Sequence, residues 1–113
     1  MPKIQLLHNP KCSKSRAALE LLNDKHLDPA VTEYLQAPLT APQLEEISSK
    51  LGLAPSQFLR KGEYAKLGIE MAGSEEGIIQ QMVENPILME RPIVINGDSA
   101  RIGRPTEAIL EII

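Results

Sequence analysis

The first 35 residues constrain the fold more than any other stretch. Residues 3–7, with the apolar run Ile4 to Leu7, read as a strand. A helical pattern from Ser13 to Lys25 follows, in which Ala18, Leu21 and Leu22 recur at helix spacing, and Asn23-Asp24 and Asp28-Pro29 mark its exit. Val31 to Leu35 then forms a second short strand, with Val31, Thr32 and Tyr34 suited to a pleated surface. A strand, a helix and a strand this close together make a βαβ unit. Such a unit requires parallel neighbours and a right-handed crossover.

The middle of the chain reads as helical. Ala37-Pro38 breaks the chain, and Thr40 with Gln43 forms the pattern of a capping box. Leu44, Ile47 and Leu51 line one face of the next helix, and Gly52 stops it. Pro55 to Leu59 suggests a helical turn, and residues 62–73 a short helix and loop. Ser74 can cap a further helix with Glu75 and Glu76 in its first turn; Ile79, Met82 and Val83 give its apolar stripe, and Asn85-Pro86 ends it.

The last third returns to strands. Ile93-Val94-Ile95 is strongly strand-forming, Asn96-Gly97-Asp98 is a hairpin turn, and Ala100 to Ile102 is the returning strand. Pro105 stands at the first position of a final helix packed through Ile109, Ile112 and Ile113. The order is β-α-β, helices, then β-β-α. That is the plan of an α/β, thioredoxin-like fold with a mixed four-stranded sheet. The sheet halves occupy about 1–36 and 86–113 of a single domain, 1–113, with a helical insertion at about 40–85. In this plan a reactive cysteine opens the first helix, and a proline, usually cis, faces it from the start of the third strand. Pro92 holds that place, where an ordinary trans proline at a strand entrance is the alternative.

The only cysteine, Cys12, lies in the loop His8-Asn9-Pro10-Lys11-Cys12-Ser13-Lys14-Ser15-Arg16, where the first strand turns into the first helix. A lone cysteine is often a small buried hydrophobe, but one flanked by Pro-Lys and Ser-Lys-Ser-Arg rarely is. Unpaired amides at a helix start stabilise a thiolate or a bound anion. Lys11, Lys14 and Arg16 add positive charge. His8 either lowers the thiol pKa as an imidazolium or is a satisfied structural histidine. Ser15 stands three residues after Cys12, where many redox proteins of this plan have a second cysteine, and cannot close a disulfide.

Arg60, Arg91 and Arg104 sit at element junctions rather than on helix faces. Guanidinium is planar, always charged and matches oxyanions bidentately. In the deduced topology Arg91 and Arg104 both approach the sheet end that holds Cys12. A thiolate ringed by arginines suits attack on, or binding of, a tetrahedral oxyanion, although any one of these arginines taken singly reads as a solvated surface charge.

Charge and composition exclude other classes. A net charge of −3 over 113 residues gives no electrostatic case for nucleic acid. No apolar stretch is long enough to span a membrane, and Met1-Pro2-Lys3 with the brief apolar run behind it is too short for a signal peptide. One cysteine and two histidines far apart offer no metal-ligand spacing. A soluble, cytoplasmic monomer without a bound cofactor is expected.

The loop from His8 to Arg16 resembles the active loop of the glutaredoxin-coupled arsenate reductases, the ArsC family. Leu59-Arg60-Lys61, the run Asn85 to Val94 and Gly103-Arg104-Pro105 are similar to the other motifs of that family, in order. The resemblance implies Cys12 as nucleophile, with His8 lowering its pKa and Ser15 hydrogen-bonding at the loop. It implies Arg60, Arg91 and Arg104 as ligands of arsenate or a similar oxyanion, with Asn9, Arg16 and Pro92 supporting the site. Glutathione would be the reductant and glutaredoxin the partner. The chain ends at Ile113, without the tail of the longer reductases, as in short housekeeping members. Ser15 sets it apart from the two-cysteine regulators of the Spx type. A monothiol oxidoreductase acting on another substrate, or a redox-sensing regulatory protein, are the alternative functions.

Overall fold

The computed structural model describes residues 4–113; Lys3, expected to open the first strand, lies outside them. The chain groups into two compact units. One comprises the residues up to Ala37 together with Arg91–Ile113, and the other Pro38–Glu90.

The first unit is built on a four-stranded sheet in the order β2-β1-β3-β4. Its strands are β1 (Gln5–Leu7), β2 (Ala30–Thr32), β3 (Ile93–Asn96) and β4 (Ser99–Ile102). β1 runs parallel to β2 and antiparallel to β3, and β3 is antiparallel to β4. The sheet is therefore mixed, and the fold is thioredoxin-like. Helix α1 (Ser13–Asp24) joins β1 to β2. Leu6 and Val94 on one sheet face meet Ala18 and Leu22 of α1 and Ile109, all of them fully buried. The hairpin turns at Gly97, whose φ of +61° is a backbone that glycine adopts without steric cost.

Several local expectations need correction. β2 begins at Ala30 and ends at Thr32, and Glu33 to Gln36 form a turn instead of more strand. Tyr34 suits a strand by propensity, but here it is the fully buried anchor of that turn. The last helix is a 3₁₀ helix, Thr106–Ile112, and not an α-helix opened by Pro105. Pro105 follows a cis bond and is extended at the N-cap, with ψ 162°, so it stands outside the helix. Ile109 is buried in this helix, whereas Ile113 is 37% exposed, because the helix ends before it. The side chain of Asn96 donates to the carbonyl of Ile112 and ties the helix end to the hairpin.

The second unit holds α2 (Ala41–Leu51), α3 (Glu63–Leu67) and α4 (Glu75–Glu84), with 3₁₀ turns at Pro55–Phe58 and Pro86–Leu88. The capping box forms: Thr40 Oγ1 accepts from the Gln43 amide at 3.3 Å, and Gln43 Oε1 accepts from the Thr40 amide at 2.8 Å. Gly52 closes α2 in the left-handed region. Leu44 and Ile47 are buried, as are Ile78, Ile79 and Met82 of α4; Val83, read as part of that stripe, is only half-buried. Leu59 and Met89 form an isolated antiparallel bridge in this unit. No helix among the described residues is long and apolar enough to cross a membrane.

Candidate active site

Strand register gathers the chemistry. Leu7 of β1 pairs with both Thr32 and Ile93, and Ile93 pairs with Ile102. The loop after Leu7, the turn after Thr32, Arg91-Pro92 before Ile93 and Gly103-Arg104 after Ile102 therefore all sit at one end of the sheet.

Cys12 is the N-cap residue of α1, a free and half-buried thiol. Its pKa lies below the ordinary thiol value. Burial alone pushes it up, but the Ser15 amide, a hydrogen bond from the Arg91 side chain, the Lys14 amide and the charge of Arg91 together outweigh burial. The two amides fall short of a closed cap hydrogen bond, yet their dipoles still act on the sulfur. Arg104 Nη2 lies 3.8 Å from Cys12 Sγ. Its Nε donates to the Arg91 carbonyl at 2.8 Å, which aims the guanidinium at the thiol. Arg91 Nε and Nη1 are buried without a hydrogen-bond partner among the described residues. Two cationic forks thus stand at one sulfur, and one of them holds donors in reserve.

The loop is braced from beneath. Asn9 Oδ1 accepts from the Lys11 amide at 3.0 Å, an Asx turn, and the Asn9 carbonyl accepts from the Cys12 amide at 3.0 Å. The fully buried Ser15 Oγ accepts from the Asn9 amide at 3.0 Å and meets His8 Nδ1 at 2.7 Å. His8 is 6% exposed. Burial lowers its pKa; Glu33 opposes that shift and Arg16 adds to it. The ring is therefore mainly neutral at pH 7. An imidazolium beside the thiol is not what this geometry favours, because a desolvated ring resists its second proton. Pro92 is buried after a cis Arg91-Pro92 bond, and its carbonyl accepts from the Gly103 amide at 2.8 Å. Arg16 is exposed on α1, where its amide donates to the Cys12 carbonyl.

Arg60 belongs to the second unit. There its Nη1 lies 3.4 Å from Glu63 Oε1 and its Nε 3.6 Å from Glu90 Oε1. The Arg60 amide donates to the Leu88 carbonyl at 2.7 Å. Sequence reasoning overlooked this carboxylate clamp, and it named Gly103 only as part of a motif, without its packing role. A Cβ at position 103 would sit 2.8 Å from Pro92 Cγ, so only glycine leaves room for the proline. A glycine directly before Arg104-Pro105 was the available signal. No cluster of His, Cys, Asp or Glu among the described residues has the makings of a metal site.

A thioredoxin-like sheet with one activated thiol at the start of its first helix defines a monothiol redox protein. The ArsC family model matches residues 7–112. The uncharacterized protein YfgD of Escherichia coli K12 is 44% identical, over 98% of this chain and 97% of its own. The arsenate reductase of Haemophilus influenzae Rd is 41% identical, over 96% and 97%. The solved structure of an arsenate reductase from Vibrio cholerae superposes with a TM-score of 0.87 at 36% identity, covering 97% of both chains. The chain belongs to the ArsC family.

Proposed function

We propose that the chain is an arsenate reductase in which Cys12 is the nucleophile. The observation that carries the reading is the sulfur itself: a thiol approached by Arg104 to 3.8 Å, its pKa lowered by the Ser15 and Lys14 amides and by Arg91. Relatives named as arsenate reductases, at 38–41% identity over nearly the whole chain, support the substrate.

Arsenate binds with its oxygens on Arg91, Arg104 and Arg60, which supply charge-assisted and bidentate contacts. The Cys12 thiolate attacks arsenic, an S–As bond forms, and one arsenate oxygen leaves as water after protonation. Glutathione thiolate then attacks Cys12 Sγ. The S–As bonding pair passes to arsenic, which leaves as trivalent arsenite, and a Cys12–glutathione disulfide remains. With no second cysteine in the chain, glutaredoxin removes the glutathionyl group and returns the thiolate. His8, Ser15 and Asn9 hold the loop in shape, Arg16 adds positive charge at the helix start, and Pro92 seats the strand that carries Arg91. The helical stretch at about 40–85 is an insertion in one domain, in keeping with a family match that runs through it. A glutathione-dependent thiol suits a monomer working in the reducing cytoplasm, with no bound cofactor.

The test is arsenite formation by purified protein supplied with arsenate, glutathione and glutaredoxin. Wild type produces arsenite, and Cys12→Ser produces none. Wild-type protein that yields no arsenite under these conditions overturns the reading.

A further inference from the structure

The sheet end that carries Cys12 also carries a cleft, of about 170 Å³, that the chemistry above leaves unused. Its floor is the buried pair His8 and Asn9. One wall is Pro10 and Lys11, immediately before the nucleophile, and the other is Glu33 and Leu35 in the turn after β2. Both walls are preformed. The first is held by the Asx turn at Asn9. The second is closed by Gln36 and Ala37 amides on the Glu33 carbonyl, at 2.9 and 3.0 Å, and anchored by the fully buried Tyr34. The His8 amide donates to the Thr32 carbonyl at 2.8 Å and ties one wall to the other. A preformed concavity lined by polar side chains, with Pro10 and Leu35 between them, is what a polar small-molecule subsite needs.

The charges name the ligand. Lys11 and Glu33 are both exposed, and neither is engaged in a salt bridge among the described residues. A simple anion drawn to Lys11 is repelled by Glu33, and a simple cation meets the reverse. A group with both charges on one carbon satisfies both. Pro10 and Leu35 add exposed apolar surface for a methylene arm. The volume equals that of about five or six liquid waters, which suits an amino-acid head and not a whole tripeptide. An extended tripeptide spans on the order of 10 Å, so a head seated here leaves a central thiol within reach of the residue next to Lys11.

We infer that the cleft between Lys11 and Glu33 seats the γ-glutamyl end of glutathione, with its α-carboxylate on Lys11 and its α-ammonium on Glu33. This rests on the reading of glutathione as reductant, but its test needs no arsenic. Oxidised glutathione modifies Cys12 when the thiolate attacks one sulfur of the disulfide; the new S–S bond forms as the old one breaks, and glutathione thiolate leaves. The rate, followed by mass spectrometry, is divided by the rate with bis(2-hydroxyethyl) disulfide. That neutral reagent reports thiol reactivity alone.

K11Q and E33Q each lower this ratio about two- to fivefold, the size of an exposed ion pair. N-acetylation of both glutamyl amines of the oxidised glutathione lowers the wild-type ratio similarly, and E33Q then adds no further loss. Ratios unchanged in both variants overturn the assignment, as does an E33Q penalty that persists with the acetylated disulfide. Normal arsenate turnover with unchanged ratios removes the cleft alone. Falling ratios in a protein that reduces no arsenate keep the cleft and remove the substrate.

Discussion

Ser15 Oγ lies 2.7 Å from His8 Nδ1, and both groups are buried. The same oxygen accepts the Asn9 amide, so the arrangement that satisfies every group gives the serine proton to a neutral imidazole with its own hydrogen on Nε2. The pair is a structural brace beneath the cysteine loop. Ser15→Ala leaves a buried amide and a buried ring nitrogen without partners. Stability falls by about 1–3 kcal/mol, read by urea unfolding, and Cys12 alkylation slows because the Ser15 and Lys14 amides lose their aim.

The buried histidine makes stability depend on pH with a definite sign. Its folded pKa is lowered, so the unfolded chain binds the proton more readily. Above about pH 6.5 both states hold a neutral ring and nothing is lost. As pH falls through that value toward the folded pKa, protonation of the unfolded chain draws the equilibrium away from the native state. The unfolding free energy of wild type therefore drops between pH 7.5 and 5.5 more steeply than that of His8→Gln.

For Cys12 the lowered pKa means a larger thiolate fraction at neutral pH than a free cysteine has. The rate of iodoacetamide alkylation therefore reaches half its plateau at a lower pH than that of a cysteine in an unstructured peptide. Arg91→Gln removes the guanidinium charge that holds the thiol pKa down, and moves that midpoint upward. A midpoint that stays in place shows that Arg91 does not set the thiol.

Gly103 and Pro92 are packed too closely for any side chain at 103. Gly103→Ala forces Cβ against the Pro92 ring and costs about 1–3 kcal/mol as overpacking. The displaced proline carries Arg91 with it, so thermal stability and Cys12 alkylation rate decline together. A variant with lowered stability and an unchanged alkylation rate separates the proline seat from the thiol.

How much of the molecule was legible in the sequence depends on the range of each interaction. The capping box of Thr40 and Gln43 closes within four residues, and the Gly97 turn joins two adjacent strands, so the local pattern decides both. Tyr34 is the opposite case: its β propensity is overridden by a buried position that only tertiary packing creates. Pro105 was misplaced because its ring fixes φ but not ψ, and a ψ of 162° leaves it extended at the N-cap. At the site, the loop and its cysteine read directly as a strand-to-helix junction. Arg104 could be named as a candidate, but the Arg91 carbonyl that orients it is reached through β3 and β4 pairing. The neutral state of His8 depends on burial, which no spacing of residues encodes.

Arg60 gives the last prediction, because its two carboxylates act in opposite directions. Glu63 and Glu90 fix the guanidinium, with Arg60 and Glu90 held beside each other by the Leu59–Met89 bridge. On the proposed reading, in which Arg60 is an oxyanion ligand, they also hold negative charge beside that ligand. Two magnitudes decide which effect wins. A partly exposed salt bridge contributes about 0.2–1 kcal/mol, and Gln at position 90 keeps the shape and an oxygen beside Arg60 Nε, so most of the positioning survives. A doubly charged oxyanion about 7 Å from a carboxylate is repelled by about 1 kcal/mol even at the dielectric of water, and that repulsion vanishes with the charge. Glu90→Gln therefore lowers the KM for arsenate about two- to fivefold with kcat little changed. Glu90→Ala, which loses the packing beside Arg60 as well, gains less. A KM that rises in Glu90→Gln shows that orientation of Arg60 outweighs its net charge, and a KM that does not move removes Arg60 from the oxyanion ligands.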